Sequence, residues 1–567
     1  MNREEKLQIL RHSAAHLLAQ ATFELYPQTI LTIGPATKDG FFYDVLPTQN
    51  FKEEDLAILE GKMHELSKKN YPITHEEISK EKARTIFKDN PFKLELIDGI
   101  PGDTVGLSRQ GDFYDLCRGG HVASTNSIKY FKLLTISGSY WRADRNNQPL
   151  QRITGTAFLT QEDFDEYEKR KEEAEKYDHR KLGKQMNLFS FHNEGVGFPF
   201  FHPKGKTVIN ILINFLKKIL DQYNYQEISS PIMLSDDLWK QSGHYAHYKD
   251  NMYFSTIDEK NYAIRPMNCP GAILNYKERP HSYRELPLKL SEFGLVHRHE
   301  LSGVLHGLFR VRAFTQDDAH VFCTVDQLQD EISSMITMIF LVYKKFDFKE
   351  IKVAVSTKPL KSMGSDELWD KATNALTKAL DNQQISYTIQ EGEGAFYGPK
   401  IEFIIRDSMG REWQCGTIQV DFAQPENFDL YYISSQGTKE RPVMIHRAIY
   451  GSMERFFGIL LEHFKGHLPF WLAPLQIKVL TITDEQKEYA KKLVQELKNN
   501  GVRVELYDSS DPISGQIKNA QLEKIPWMLV LGKKEVAQET ITLRHNDGKQ
   551  EFGISFNELL TKIKENS

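Results

Sequence analysis

Stretches with helical spacing of apolar residues are interspersed along the chain with stretches of β-type patterning. KTVINILINFLKKILDQY (206–223) places its apolar residues on one helical face and predicts an amphipathic helix, which the extended stretch EISSPIML follows. GFFYDV (40–45) and YFKLLTISGSYW (130–141) predict strands. The longest apolar run, MITMIFLVY (335–343), is shorter than the roughly 20 residues of a membrane span. It predicts a core helix, and we expect no association with a membrane.

The order of these elements predicts three folded domains and one linker. Residues 1–160 combine helices with β-rich pieces and predict an α+β domain. Residues 161–185 are almost wholly charged helix formers and predict a solvated connecting helix. Residues 186–468 open with the amphipathic helix and continue with antiparallel-looking strands. Residues 469–567 have a βαβαβ rhythm, which predicts a small α/β domain with a mostly parallel sheet.

Composition adds limits on compartment and partners. The 567 residues carry a formal net charge of −5, so any contact with nucleic acid must come from local basic patches rather than from a global field. Cys117, Cys269, Cys323 and Cys415 are far apart in sequence and give no disulfide framework. With no signal peptide evident, the natural compartment is a reducing cytoplasm.

Four side chains near the N-terminus could act together. In RHSAAHLL (11–18) His12 and His16 share one helix face, but Ser13 stands where a zinc peptidase of the HExxH type keeps its catalytic Glu. YDLCRGGH (114–121) supplies Cys117 and His121 at the same spacing. From the residues alone, three His and one Cys could form a zinc site.

A second concentration of chemistry lies in LVHRHELSGVLHGLFRVRAFTQDD (295–318). Two β-patterned runs flank a Ser-Gly/His-Gly loop, and Arg298, Arg310 and Arg312 project beside Glu300. Guanidinium groups on a rigid hairpin suit a polyphosphate site, because their planar donors engage phosphate oxygens bidentately. A solvated basic surface remains the alternative at this point.

Several further stretches make the pattern specific. The amphipathic helix with its strand, the hairpin, and GSMERFFGIL (451–460) resemble motifs 1, 2 and 3 of class II aminoacyl-tRNA synthetases in the same order. The chain is most similar to the threonyl-tRNA synthetase family, from about residue 1 to the C-terminus. The stretches that carry this closer resemblance are RPMNCPG (265–271), FTQDDAHVF (314–322), FYGPKIEF (396–403), WQCGTIQVDF (413–422) and IHRAIYGSMERF (445–456).

The resemblance implies a fold and a synthetic site. The fold is an N-terminal α+β editing domain, a class II catalytic core with an antiparallel sheet flanked by helices, and a C-terminal α/β anticodon-binding domain. The implied ATP ligands, assisted by Mg²⁺, are Arg298 (α-phosphate), Glu300 (adenine amino group), Phe314 (adenine ring), and Arg310 with Arg455 (β- and γ-phosphates). The implied ligands of one Zn²⁺ per chain are Cys269, His320 and His446. The implied lining of the threonine and terminal-adenosine pocket is His244, Gln316, Asp318, Tyr397, Lys400, Gln414 and Gln419. For His244, a histidine in a surface loop remains the alternative.

The resemblance also answers what the N-terminal histidines do. It implies that they belong to a pocket that hydrolyses seryl-tRNA with water as nucleophile and without a metal. The implied editing residues are His12, His16, Cys117, His121, Asp115, Tyr43 and Lys93. A metal site and satisfied structural histidines remain open. In the last domain, Glu535 and Arg544 match residues that read anticodon bases.

The implied activity is threonine–tRNA ligase with editing of serine, and the implied partners are ATP, L-threonine, tRNA(Thr) and a second copy of the chain, paired through motif 1. A catalytically silent, synthetase-like RNA-binding regulator is one alternative, and a zinc hydrolase built on RHSAAH is another. Three features depart from the family pattern: the chain starts at the editing domain without a preceding small β-rich domain, Ala272 replaces the usual His after MNCPG, and SSDPIS (509–514) puts one anticodon contact in question.

Overall fold

Two separate units make up the chain. The structure, a computed structural model, describes residues 1–144, 146–509 and 511–566. Its contacts group into Met1–Glu172 and Glu173–Ser567. The division falls inside the charged stretch that the sequence assigns to a linker.

The first unit packs a long N-terminal helix and a second helix against an antiparallel sheet. Asn2 starts the first helix with a capping box to Glu5, and the middle of that helix is buried against the core. The helices are α1 (Arg3–Leu25), α2 (Glu53–Lys68), α3 (Lys80–Ile86), α4 (Pro91–Gly99) and most of α5 (Gln161–Lys176), within which the unit ends. The strands are β1 (Ile30–Leu31), β2 (Phe41–Leu46), β3 (Ile73–Ser79), β4 (Thr104–Gln110), β5 (Phe113–Leu116), β6 (Tyr130–Tyr140) and β7 (Pro149–Phe158). They form the sheets β1-β2-β7-β6 and β3-β4-β5, all antiparallel, so the predicted α+β character is confirmed.

The charged stretch 161–185 is not one solvated helix, and that prediction is wrong in its second half. Helix α5 buries none of its residues, as the sequence predicts. A new helix, α6 (His179–Gln185), then begins, because Asp178 accepts a hydrogen bond from the Arg180 backbone N and caps it. Its first residue, His179, is fully buried.

The second unit contains a large mixed-direction sheet that is antiparallel except at its edges. Its helices are α7 (Pro203–Gln222), α8 (Asp236–Gln241), α9 (His244–Tyr248), α10 (Cys269–Lys277), α11 (Leu328–Lys345), α12 (Asp366–Asn382), α13 (Ala423–Asn427) and α14 (Met453–His463). Its strands are β8 (Phe189–Ser190), β9 (Phe200–Phe201), β10 (Gln226–Glu227), β11 (Met233–Ser235), β12 (Tyr253–Ile257), β13 (Lys260–Ile264), β14 (His281–Ser282), β15 (Leu288–His297), β16 (Ala313–Cys323), β17 (Ile351–Ser356), β18 (Thr388–Gln390), β19 (Lys400–Arg406), β20 (Glu412–Asp421), β21 (Tyr432–Ile433), β22 (Lys439–Glu440) and β23 (Val443–Ala448). The main sheet has the order β10-β15-β16-β23-β20-β19-β17-β18, and only its two edge pairs are parallel.

Helices α7, α11, α12 and α14 cover one face of this sheet, while on the other face α10 packs over Phe322 and Met444 beside the polar residues of a candidate site. Ala319 and Val321 of β16 and Ile445 of β23 point into a core that includes the apolar stripes of α7, α11, α12 and α14. The predicted core helix over 335–343 lies within α11, and most of it is buried. Since side chains alternate along a strand, the intervening residues of β16 face the opposite side.

The last part of the second unit is an α/β domain with a mixed sheet. Its helices are α15 (Lys487–Asn499), α16 (Ile513–Leu522), α17 (Lys533–Gln538) and α18 (Phe556–Glu565), and its strands are β24 (Ile477–Thr481), β25 (Val504–Leu506), β26 (Trp527–Leu531), β27 (Ile541–His545) and β28 (Gln550–Ile554). The order is β25-β24-β26-β27-β28, with two parallel pairs followed by two antiparallel ones. The prediction of a mostly parallel sheet is therefore wrong for its second half, because β27 and β28 form a hairpin.

Within the described residues, no helix has both the length and the apolar character that crossing a bilayer requires.

Candidate functional site

The face of the large sheet that carries α10 also presents a row of polar side chains from four adjacent strands. His320 of β16 lies directly opposite His446 of β23, which lies opposite Gln419 of β20, which lies opposite Lys400 of β19. Directly opposed residues share a face, so this row crosses the sheet. Along β16, alternation puts Phe314, Gln316 and Asp318 on the same face as His320. The predicted adenine, threonine and zinc residues therefore follow one another along one strand.

At one end of the row lies a candidate metal centre. Cys269, His320 and His446 each offer a ligand atom, these atoms lie within 4.8 Å of one another, and all three residues are buried. One thiol and two imidazoles are a donor set that suits Zn²⁺, and three protein ligands leave a fourth tetrahedral position for a substrate. Burial raises the pKa of the Cys269 thiol, so a thiolate there needs a cation beside it. The residues therefore fit a catalytic rather than a structural zinc.

Neighbouring groups orient two of the imidazoles. Asp421 Oδ2 lies 2.8 Å from His446 Nε2, and the other carboxylate oxygen, Oδ1, accepts from the backbone N–H groups of Ala423 and Gln424. A carboxylate on the outer nitrogen of a ligating His is a common support of zinc sites. His244 is fully buried, with Nε2 3.6 Å from Cys269 Sγ and Nδ1 2.8 Å from Ser242 Oγ. Burial lowers its pKa to about 3, and the alternative of a surface-loop histidine is wrong.

A cavity of about 390 Å³ continues from the middle of the row toward the start of α14. The predicted residues that line it are Arg298, Glu300, Arg310, Phe314, Gln316, Gln414, Gln419 and Arg455. Gln316 Oε1 and Arg455 Nε are buried there without a hydrogen-bond partner among the described residues. Buried polar atoms usually have partners, so these two point to a polar ligand in the cavity. The structure thus brings together all five predicted ATP residues.

The cationic side chains of the cavity are held by specific contacts. Arg310 makes an ion pair with Glu300, with Nε and one terminal nitrogen each 3.0 Å from Oε2. Arg298 donates from Nε to the Pro266 carbonyl at 3.2 Å and lies 5.0 Å from the centre of the Phe314 ring. No hydrogen bond from the described residues occupies its terminal nitrogens, which are available to a ligand.

The predicted amino-acid side of the pocket is linked by hydrogen bonds. Tyr397 donates to Gln419 Oε1 at 2.6 Å, and its ring lies 4.8 Å from that of His446. Gln414 donates to Glu402, which also pairs with Lys400 at 2.5 Å. Asp318 accepts from Asn268 Nδ2 at 2.8 Å, and burial raises its pKa. Asn268 directly precedes Cys269, so this contact joins Asp318, the carboxylate predicted to bind threonine, to the candidate metal centre.

Two buried acids behind the site are absent from the sequence-based set. Asp317 accepts from the backbone N–H groups of Ile449 and Gly451, and burial raises its pKa to about 6. Glu454 accepts from the Thr315 backbone N at 2.9 Å, and burial raises its pKa to about 7. Both acids join β16 to the start of α14. The sequence gives a signal for each of them. Asp317 is a charged residue at a strand position that alternation turns toward the core, and Glu454 is a charged residue at the start of a buried helix.

The predicted editing residues form one cluster in the first unit. His12 Nε2 and His121 Nε2 each lie 3.1 Å from Cys117 Sγ, and His12 and His121 stack with ring centres 4.6 Å apart. The His16 ring packs edge-on against both of them. Burial lowers the pKa of His12, lowers that of His16 further, and lowers that of His121 to about 4. The rings are therefore neutral near pH 7 and can accept protons.

Asp115 anchors the base of this cluster. It accepts from the Tyr43 hydroxyl at 2.6 Å, pairs with Lys93, and lies 3.7 Å from His16 Nδ1. Tyr43 and Lys93 are almost fully buried, and the Lys93 ammonium also lies 3.3 Å from the Tyr43 hydroxyl. The structure thus brings all seven predicted residues together. The ligand atoms of His12, His16, Cys117 and His121 lie within 4.8 Å of one another, so the geometry alone also permits a metal ion.

The two predicted anticodon residues lie near each other in the last domain. Glu535 accepts from the Gly532 backbone N, which caps α17, and from the Thr542 hydroxyl at 2.9 Å. Arg544 lies two residues after Thr542 on β27. Its Nε is buried without a partner in the part of the chain that the structure describes. In the segment 509–514, Ser509 donates to Asp511 at 2.9 Å, while residue 510 lies outside the described residues.

The chain is similar to known proteins over nearly its whole length. Three family models match: the tRNA synthetase class II core domain (G, H, P, S and T) over residues 253–464, the anticodon binding domain over 472–566, and the threonyl and alanyl tRNA synthetase second additional domain over 105–154. The chain is 52% identical to the threonine–tRNA ligase of Clostridium tetani (strain Massachusetts / E88) over 99% of its own length and 88% of that protein. It is 50% identical to the threonine–tRNA ligase of Carboxydothermus hydrogenoformans (strain ATCC BAA-161 / DSM 6008 / Z-2901), over 99% of this chain and 90% of that one. Among solved structures, the RNA binding domain of threonyl-tRNA synthetase from Cryptosporidium parvum Iowa II matches with a TM-score of 0.67 and 41% identity, over 69% of this chain and 98% of that chain.

Proposed function

Because the chain belongs to the threonine–tRNA ligase family, we propose that the two clusters described above are its synthetic and editing sites. The enzyme is an aminoacyl-tRNA ligase with a class II core, an anticodon-binding domain and an editing domain. The observation that carries the assignment of the synthetic site is the succession of Phe314, Gln316, Asp318 and His320 along one face of β16. It sets the proposed adenine, threonine and zinc residues side by side, so that ATP and threonine would meet along one strand.

The phosphate side of the site stabilises charge. In our proposal Arg298 holds the α-phosphate, Arg310 and Arg455 hold the β- and γ-phosphates, and Mg²⁺ with ATP neutralises the remaining charge. Glu300 accepts from the adenine amino group, and Phe314 covers the adenine ring. The threonine carboxylate attacks the α-phosphorus and pyrophosphate leaves, so the protein's task is to place the two reactants and stabilise the pentavalent transition state.

The threonine side of the site selects the amino acid. Cys269, His320 and His446 would hold zinc, which would supply a Lewis-acid position for the amino and hydroxyl groups of threonine. Asp318 would hold the amino group, while Tyr397, Gln419, Gln414, Lys400 and His244 would shape the rest of the pocket. Valine lacks the hydroxyl and would leave polar groups of the pocket unpaired. A site of this kind therefore rejects valine strongly.

Replacing Cys269 by Ala is expected to remove most bound zinc and to lower threonine activation by about 100-fold. Two imidazoles alone hold the ion weakly, and the selection of threonine depends on it. Metal analysis by mass spectrometry and threonine-dependent pyrophosphate exchange measure the two effects. Cys323→Ala is the matched control, since Cys323 is also a buried thiol but belongs to the apolar core on the face of β16 opposite His320. Full threonine activation in a zinc-free Cys269→Ala protein would contradict the assignment.

Serine requires the second site. It has the amino and hydroxyl groups of threonine and lacks only a methyl group, a difference worth at most about 10–200-fold in selection. We propose that His12, His16 and His121, neutral and clustered around Cys117, position a water and move protons during hydrolysis of seryl-tRNA(Thr). Asp115, held by Lys93 and Tyr43, orients His16. The clustering of seven residues from four separate segments supports this role.

Three further proposals concern partners and compartment. Glu535 and Arg544 would read anticodon bases, since unpaired bases suit polar and planar side chains.

A homodimer would form through α7 and the strand region after it, where the neighbouring apolar residues Ile232 and Met233 are 40% and 42% exposed. The four cysteines are free thiols, which supports a reducing compartment such as the cytoplasm.

A further inference from the structure

A buried histidine outside both sites connects three segments of the second unit. His179, the first residue of α6, is fully buried. Its backbone N and its ring Nδ1 lie 2.8 and 2.6 Å from Glu462 Oε1, near the end of α14. Glu462 is also paired with Arg411 at 2.5 Å. The start of α6 is thereby fixed to the helix that carries Arg455.

The other ring nitrogen of His179 holds the loop between β15 and β16. The Leu308 backbone N–H donates to His179 Nε2 at 2.9 Å. A backbone N–H can only donate, so Nε2 is the acceptor, and Nδ1 carries the hydrogen that is donated to Glu462. Asp178, His179 and Glu462 have the spacing of a metal-binding group, but both ring nitrogens already have protein partners. The arrangement is therefore a hydrogen-bond relay.

The loop fits closely against this ring. Gly307 has φ +49°, and a Cβ built at that position would lie 2.2 Å from His179 Nε2. The next ring along the loop, Phe309, packs on His179 with ring centres 4.1 Å apart. Only a residue without a side chain allows the backbone at position 307 to approach the histidine this closely.

The same loop sets the positions of two arginines that face the cavity. Arg310 lies two residues after Leu308, and the His306 backbone N donates to its carbonyl at 3.1 Å, which closes the tip. Arg455 donates from Nη1 to the Phe309 carbonyl at 3.4 Å. A displacement of residues 307–309 would therefore move Arg310 directly and remove a contact that holds Arg455.

We infer that His179 is a positioning residue for the ATP site: through Nε2 it fixes the loop tip at 306–310 and thereby places Arg310 and Arg455 for the polyphosphate. The inference rests on the proposed function, since it takes both arginines as phosphate ligands. It assigns a role in activation to α6, the short helix in the second half of the charged stretch. Leaving the buried Leu308 N–H without an acceptor would weaken the hold on this loop.

Two isosteric substitutions separate the two bonds of the ring. The amide nitrogen of Asn reaches the place of Nδ1, so His179→Asn keeps the donor to Glu462 and removes the acceptor for Leu308. The amide oxygen of Gln reaches the place of Nε2, so His179→Gln keeps the acceptor for Leu308. Both variants lose the ring, so each serves as the packing control of the other.

Pyrophosphate exchange of the full chain at saturating threonine, with ATP varied, measures the effect. We expect His179→Asn to raise the KM for ATP about tenfold, and to change the KM for threonine less than about twofold. His179→Gln is expected to stay within about threefold of the unmodified protein for both substrates. The inference would be overturned if both variants raised the KM for ATP equally, or if their losses of activity only followed their melting temperatures. Either result would assign His179 to packing.

Two further variants keep the test decisive. Gly307→Ala disturbs the same contact from the loop side, with His179 intact, and is expected to raise the KM for ATP. If the His179 variants fold poorly, this variant decides the test. An unchanged KM for ATP in Gly307→Ala would then count against the inference. Arg310→Ala reports on the proposed ATP site itself. If Arg310→Ala leaves the KM for ATP unchanged, the proposed function fails at this residue. If it raises that KM while His179→Asn does not, the inference alone fails.

Discussion

Replacing Arg298 by Ala is expected to lower the rate of threonine-dependent pyrophosphate exchange by about 10³-fold. Arg298 lines the cavity beside Phe314, and its Nε is fixed by the Pro266 carbonyl, so its terminal nitrogens are held in place before the reaction begins. Charge that develops on the α-phosphate in the transition state would meet these donors without further reorganisation. The loss is therefore expected mainly in kcat rather than in the KM for threonine.

Arg298→Lys serves as the charge-matched variant. Lys keeps the positive charge but not the planar pair of donors, so an intermediate loss of about 100-fold separates the contribution of the fork from that of the charge. Arg284→Ala, a change at an exposed arginine that lies outside the cavity, controls for surface effects. An Arg298→Ala protein with exchange within about threefold of the unmodified enzyme would remove Arg298 from the proposed site.

The second large effect concerns the N-terminal cluster. Replacing His12 and His16 together by Ala is expected to lower deacylation of seryl-tRNA(Thr) by 10²–10⁴-fold, roughly the usual contribution of acid–base groups, while charging with threonine stays unchanged. Deacylation of purified seryl-tRNA and accumulation of seryl-tRNA during charging measure the two activities. His64→Ala is the matched control, because His64 is an exposed histidine of the same unit that packs on Phe131 outside the cluster. Unchanged deacylation in the double variant would refute the editing assignment.

The pH dependence of deacylation distinguishes water positioned by imidazoles from water bound to a metal. Burial lowers the pKa of His121 to about 4 and moves those of His12 and His16 in the same direction. Imidazoles that are neutral at pH 7 predict an enzyme-catalysed rate that is level between about pH 7 and 8, after subtraction of spontaneous hydrolysis. A zinc-bound water, with a pKa of about 7, predicts that the rate of deacylation rises across the same pH range and that chelators inhibit it. A rise with chelator sensitivity would favour the metal.

Local patterns predicted the site residues that lie close together in sequence. The spacing of His12 and His16 gives one helix face, and α1 confirms it. The spacing between His320 and His446 carries no comparable information, because their approach depends on the register between β16 and β23. The contacts of Asp115 with Tyr43 and Lys93 join three distant segments in the same way. For these residues only the family resemblance gave the grouping, and tertiary structure explains it.

The wrong predictions had local signals of their own. Asp178 has the residue type of a helix N-cap, and it divides the charged stretch into α5 and a buried α6. In ITLRHNDGKQEFGI (541–554) the Asp-Gly pair between two β-patterned runs is a hairpin signal, and it accounts for the antiparallel end of the last sheet. In contrast, nothing in the local sequence around His179 indicates that its ring meets Leu308, which lies more than a hundred residues away.

Pyrophosphate exchange with threonine, serine and valine shows whether this chain activates threonine and rejects valine, since it measures the activation site without tRNA. The zinc-loaded protein is predicted to give strong exchange with threonine, weaker exchange with serine and none with valine, which would establish both the selection of the hydroxyl group and the need for the editing cluster. Absence of exchange with all three amino acids, from a folded and zinc-loaded protein, would contradict the account.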